Sequence, residues 1–232
     1  MFGTVEPTPF DLEFSLWRIP VRVSVWFWVG GTLLGYGALK AGVQYLAAWL
    51  LVLFVSILVH ELGHALTARR FGYSPRILLY HFGGLAMYDT YGWRESTTRS
   101  VLISLAGPVA GFGLYGVTQL LLLFGVPLLP KEMPDNVWML LAFTFGQLLY
   151  INLWWGLVNL LPVLPLDGGR ISQALCSTRN PAWGLLTAAR IGAVVAGGAA
   201  VYFYMEHDTY AAVLFAMLCA TNVSILQERG RW

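Results

Sequence analysis

The sequence predicts an all-α polytopic membrane protein of about six transmembrane helices, with a re-entrant, membrane-associated β-hairpin at about residues 75–90. Three observations carry that expectation. Of the 232 residues, 57% are hydrophobic and only 11% are charged, whereas soluble domains carry about 25% charged residues. Mean hydropathy is +0.64. Six apolar stretches approach the ~20 residues a helix needs to cross a hydrocarbon core of about 30 Å.

Those stretches lie at roughly 23–39, 43–68, 99–125, 137–161, 183–205 and 208–226. The segment from Phe71 to Thr98 is too polar and Gly-rich for another span. Within it, Arg76-Ile-Leu-Leu-Tyr80 and Leu85-Ala-Met-Tyr88 flank His81-Phe-Gly-Gly84, the pattern of a hairpin. Non-helical backbone at membrane depth is tolerated where protein or a water-filled cavity covers it. No repeat, low-complexity tract or second module interrupts the chain, so residues 1–232 are expected to form a single membrane-embedded domain.

Charge placement orients the spans. Arg18 and Arg22 precede the first, Arg69 and Arg70 close the second, Arg94 and Arg99 precede the third, and Arg170 and Arg179 follow the fourth. Arg229 and Arg231 end the chain, while Lys40, Lys131 and the acidic Glu132, Asp135, Glu206 and Asp208 fall at the opposite ends. The positive-inside rule then places both termini in the cytoplasm. Glu6, Asp11 and Glu13 occupy the place of a basic signal-peptide n-region, so the first apolar run is expected to remain as an anchor. A net charge of +2 with no basic block excludes a nucleic-acid partner. Cys176 and Cys219 lack the spacing of a disulfide framework or a thiolate metal site. Gly107 and Gly111, and Gly192, Ala196 and Ala200, repeat every fourth residue, where helices can approach closely.

The chemistry centres on His60-Glu61-Leu62-Gly63-His64. Helical positions i and i+4 share a face, so both imidazoles can reach one metal ion, while Glu61, about 100° around, reaches a water on that metal. Such a water is acidified by zinc, and the carboxylate takes its proton. Ala47 to Val59 are apolar apart from Ser56, which sets the motif inside or at the end of a membrane helix, where ionisable groups are usually functional. A catalytic zinc site needs a third protein ligand. Two residues are open for it: His81 beside the Gly pair, and Asp167 after Asn159-Leu-Leu-Pro162-Val-Leu-Pro165-Leu. Pro162 and Pro165 end the helical hydrogen bonding there, and an acid followed by Gly168 and Gly169 can turn into the bundle.

His60-Glu61-x-x-His64 in one membrane helix, with Asn159-x-x-Pro162-x-x-x-x-Asp167-Gly168 far downstream, resembles the site-2 protease family of intramembrane zinc metalloproteases. Phe82-Gly83-Gly84, Ala106-Gly107-Pro108 and Ile19-Pro20-Val21-Arg22-Val23 resemble further landmarks, the last of the compact six-helix branch. The resemblance implies one Zn2+ ion held by His60, His64 and Asp167, with Glu61 as base, and cleavage of membrane-anchored protein substrates within the lipid bilayer. It suggests an integral protein of a prokaryotic cell membrane. The chain departs from relatives in showing no PDZ or nucleotide-binding module, and in having Ser24 where many compact members have His. Asn159 and Asn152 share a helical face. Buried amides need partners, which substrate backbone or a neighbouring helix would supply. Asn159, Gly83 and Gly84 are the candidate substrate-binding residues.

Overall fold

The computed structural model describes residues 6–81, 83–88, 96–130, 132–178 and 180–229. Phe82, Arg94, Lys131, Arg179 and Arg231, which entered the hairpin and charge arguments, lie outside the described residues. The described chain opens on two antiparallel strands, β1 (Leu12–Leu16) and β2 (Ile19–Val23). Helices α1 (Val25–Leu34), α2 (Tyr36–Ala41) and α3 (Val43–Arg70) follow. The hairpin β3 (Arg76–Tyr80) and β4 (Gly83–Met87) precedes α4 (Thr97–Leu120). Then come α5 (Asp135–Asn159), α6 (Asp167–Cys176), α7 (Pro181–Met205) and α8 (Thr209–Arg229).

Among the described residues, five helices are long and apolar enough to cross a membrane: α3, α4 with its continuation to Leu128, α5, α7 and α8. They coincide with five of the six expected spans. The first expected span is instead divided between α1 and α2. α1 ends at Gly35, whose ψ of 14° leaves the helical range although its N–H still donates to the Gly31 carbonyl at 2.8 Å. That carbonyl also accepts from Trp49 Nε1 at 2.9 Å. A β-carbon on Gly35 would lie 2.3 Å from the Trp49 ring, so the indole packs directly against the junction of α1 and α2. Past α4 the backbone loosens into a π-turn, Leu121–Gly125, and a 3-10 turn, Val126–Leu128.

The hairpin is part of a larger sheet than expected. Four strands run in the order β1-β2-β3-β4, and β2 pairs with β3 in parallel, Val21 opposite Ile77. Alternation buries Ile19, Val21 and Val23 on one face of β2. Both residues of the β1–β2 turn, Trp17 and Arg18, have positive φ, 47° and 64°. This turn geometry normally takes Asn-Gly. Here the Arg69 guanidinium donates to the Trp17 carbonyl and helps hold it.

Residues Met1–Tyr91 with Val109–Gly156 form one compact unit, and Gly92–Pro108 with Leu157–Trp232 a second. The core of the first joins Ile19, Val21, Val23, Ile77, Leu79 and Ala86 of the sheet to Val52, Leu53, Ile57 and Leu62 of α3. Ser24 has no exposed surface. Its Oγ caps α1 by accepting from the Trp26 N–H, and its own N–H donates to Leu79. Asp11 accepts from the Thr8 hydroxyl at 2.6 Å and from the Val25 N–H, and pairs with Arg22 at 3.7 Å. The Thr8 hydroxyl foremost, then the backbone donors and Arg22, hold its carboxyl below the usual carboxylate range. In the second unit α7 and α8 pack along the small-residue face, Ala196 meeting Val163 and Phe215.

Candidate metal and catalytic site

Within the first unit, α3 carries the cluster that the sequence singles out. An apolar 28-residue helix would not bury polar side chains without a purpose, yet Ser56, His60, Glu61 and His64 are all buried. Their i, i+4 spacing stacks Ser56, His60 and His64 one turn apart on one face. The imidazoles meet edge to face, ring centroids 4.9 Å apart at 78°, and the two Nε2 atoms are 3.2 Å apart. Two nitrogens bound to one tetrahedral zinc at ~2.0–2.1 Å must be separated by about 3.3 Å. The pair therefore has the bite of two zinc ligands.

Ser56 is anchored in turn. Asn152 of α5, 2% exposed, donates from Nδ2 to Ser56 Oγ at 2.9 Å and to the Leu148 carbonyl at 2.8 Å. Both amide protons are used within the protein, so Asn152 ties α5 to the turn before His60.

Glu61 faces β4. A β-carbon on Gly84 would lie 2.4 Å from Glu61 Cγ and 2.7 Å from its Oε1. Strand and carboxylate touch because position 84 has no side chain. The same construction on Gly83 meets only the Trp155 ring at 3.9 Å, an ordinary contact. Neither glycine has positive φ; His81, in the hairpin turn, does, at 41°. Gly84 is needed for close approach.

Among the described residues β4 is the edge of the sheet and pairs with β3 alone, Tyr80 opposite Gly83 and Leu79 opposite Gly84. In a two-residue hairpin the pair flanking the turn exchanges both hydrogen bonds and the next pair none. The Leu79 carbonyl accordingly accepts from Ser24, on the β2 side. Gly84 and Ala86 thus direct their N–H and C=O groups toward the outer edge.

His81, one of the two residues open for the third ligand, sits at the exposed hairpin turn and stacks on Trp26, centroids 6.3 Å apart at 9°. The second unit carries the other, Asp167, which is 6% exposed and opens α6. No side chain caps that helix; its start is fixed by packing. A β-carbon on Gly168 would lie 2.1 Å from the Leu160 carbonyl oxygen, and one on Gly169 2.4 Å from Val163 backbone. Only glycines let α6 press on the turn at 160–164. Asn159 is half-buried at the last residue of α5. Asn222 was not singled out from sequence; Ser24 entered only as a departure from relatives, and Ser56 only as the lone polar residue of its run, one turn before His60.

Comparison with known proteins agrees with this chemistry. The model of peptidase family M50 matches residues 48–135 and 131–200. A relative from Synechocystis sp., provisionally named zinc metalloprotease sll0528, is 34% identical, over 77% of this chain and 48% of its own. Zinc metalloprotease MJ0392 of Methanocaldococcus jannaschii is 31% identical, over 78% of this chain and 48% of its own. The chain thus spans about half the length of these curated relatives. The solved site-2 protease from Methanocaldococcus jannaschii shares the fold, with a TM-score of 0.63 at 24% identity, covering 93% of this chain and 94% of that one. The chain belongs to peptidase family M50, the site-2 protease family that its paired motifs resemble.

Proposed function

We propose that this chain is a zinc-dependent intramembrane endoprotease, its residues 1–232 acting as one membrane-embedded domain that hydrolyses peptide bonds of membrane-anchored proteins. The observation that carries the reading is the buried His60–His64 pair, with Glu61 beside it, in a helix of spanning length. Ionisable groups at the centre of such a helix cost about 2.5–3.5 kcal/mol each on insertion scales. Binding of a structural zinc ion is worth on the order of 10 kcal/mol, enough to offset several of them. His60, His64 and Asp167 are the proposed ligands of one zinc ion, two imidazoles and a carboxylate being a donor set suited to a catalytic site.

Zinc, when bound, acidifies a water and polarises the carbonyl to be cut. Glu61 takes the proton of the attacking water and passes it to the departing amine. Gly84 sets where that carboxylate rests. A substrate helix hides its amides and has to unwind before attack. The outward N–H and C=O groups at Gly84 and Ala86 offer the unwound segment a strand to pair with, and the Asn159 amide supplies a further bond to substrate backbone. The arginine pattern supports a multi-pass arrangement with both termini cytoplasmic, the prokaryotic sources of the relatives favour a prokaryotic cell membrane, and nothing in the charge distribution favours a nucleic-acid partner.

The test compares purified wild type with Glu61→Gln, Asp167→Ala and His81→Ala, measuring zinc content and cleavage of a single-span reporter carrying helix-breaking residues. Glu61→Gln keeps zinc and loses cleavage; Asp167→Ala loses zinc; His81→Ala keeps both. Wild-type turnover by Glu61→Gln refutes the assignment of the base, and zinc loss in His81→Ala but not in Asp167→Ala refutes the ligand set.

A further inference from the structure

Asn222 lies in the middle of α8, remote in sequence from every motif discussed above, and has no exposed surface. An amide in that position has to find partners for two donors and an acceptor. Its Nδ2 donates to the Leu164 carbonyl at 2.7 Å and to the Leu218 carbonyl of its own helix at 2.8 Å. Its Oδ1 accepts from the Leu164 N–H at 3.3 Å. One side chain therefore holds both backbone polar groups of a single residue, three positions before Asp167. α7 closes in from another direction: a β-carbon on Gly192 would lie 2.3 Å from Asn222 Oδ1, so glycine there leaves the amide room to reach Leu164.

The chain between Leu164 and Asp167 leaves little slack. The Leu166 N–H donates to Val163 at 2.8 Å and the Arg170 N–H to Leu166 at 3.0 Å. Gly168 and Gly169 lie in direct contact with the backbone of Leu160, Leu161 and Val163. With no side-chain cap on α6, the place of Asp167 is inherited from the 160–164 turn, and that turn is pinned by Asn222.

We infer that Asn222 is a positioning residue for the Asp167 carboxylate, its paired hydrogen bonds to Leu164 holding the ligand where it binds the metal. The inference rests on the reading of Asp167 as a ligand. Partners that orient metal ligands are worth about 10–100-fold in affinity when removed.

The experiment titrates the metal-stripped full chain in detergent with Co2+, following the visible d–d absorption, and then displaces it with Zn2+ to obtain both affinities. Variants are Asn222→Leu, Asp167→Ala and the two combined. Asn222→Leu is expected to weaken metal binding by about 10–100-fold and to alter the Co2+ spectrum, while adding nothing in the Asp167→Ala background. Asn222→Leu within 2-fold of wild type, or an equal loss with and without Asp167, overturns the inference. Asp167→Ala with wild-type affinity overturns the ligand reading instead. Should Asn222→Leu fail to fold, Gly192→Ala carries the same test, since its methyl displaces the amide without removing it; an unchanged affinity and spectrum there also overturns the proposal.

Discussion

Replacing Gly84 by alanine adds one methyl group at a place where the structure leaves it no room. The new carbon would sit 2.4 Å from Glu61 Cγ, against about 3.5–4.0 Å for carbons at rest. Relief requires the carboxylate or the strand to move by about 1 Å. Glu61 is buried, and β4 is tied to β3 along its length, so the side chain takes much of the shift. A misplacement of about 1 Å in a reacting group can cost 100-fold in rate, equivalent to about 2.7 kcal/mol of barrier. Gly84→Ala is therefore expected to lower kcat/KM about 100-fold with zinc content unchanged. Gly83→Ala, whose methyl meets Trp155 at 3.9 Å, is expected to stay within about 2-fold by the same reckoning. Cleavage of two single-span reporters, one with and one without helix-breaking residues at the cut, separates two origins of the loss. A displaced Glu61 slows both equally, whereas a damaged strand edge spares the reporter that is already unwound. Gly84→Ala cleaving both at the wild-type rate would refute the contact argument.

Two further outcomes follow from features outside the site. Asp11→Asn is expected to lower the melting temperature at pH 7. The folded-state pKa of Asp11 lies below its ordinary 3.8, so its contribution is present above that value and is lost as pH falls through the lower, folded one. The gap between wild type and variant should therefore close in acid, and a gap independent of pH would contradict the Thr8 hydrogen bond as its source. Reporters fused after Arg170 and after Glu228 should report the cytoplasm, and one at Pro130 the opposite side; a cytoplasmic signal at Pro130 would overturn the proposed orientation.

The long helices were legible because lipid demands unbroken apolar runs: the expected 43–68 and 183–205 became Val43–Arg70 and Pro181–Met205. The His60–Glu61–His64 cluster was legible because its geometry is local, three side chains within five residues of one helix. Non-local pairings left no such trace. Asn152 and Ser56 are 96 positions apart, and nothing near either identifies the other. β2 alternates for only five residues around Pro20, and the turn before it is Trp17-Arg18 rather than Asn-Gly, so neither strand signal nor turn signal was available. Its partner, β3, is supplied from beyond α3. Gly84 entered the sequence reading only as a candidate substrate-binding residue; the contact that requires glycine there is made with Glu61, on another element, and left no trace in the hairpin's own sequence. Asn222 was one polar residue in an apolar span until Leu164 appeared beside it.

The parallel pairing of β2 with β3 also dictates an order of events during synthesis. Strand β2 ends at Val23 and β3 begins at Arg76, and three helices separate them. Ribosomes add roughly 5–20 residues per second, so β2 waits about 3–10 s for its second neighbour. During that interval β1 covers one edge of it, and the other edge, with the inward faces of Ile19, Val21 and Val23, is open to any strand nearby. The α1–α3 excursion must be completed before β3 can seal it, and only then does β4 swing Gly84 against Glu61. The Glu61 carboxylate is thus seated late, after the helix that carries it has been inserted and the sheet has closed, so an incompletely inserted chain lacks the contact with Gly84 that fixes this side chain.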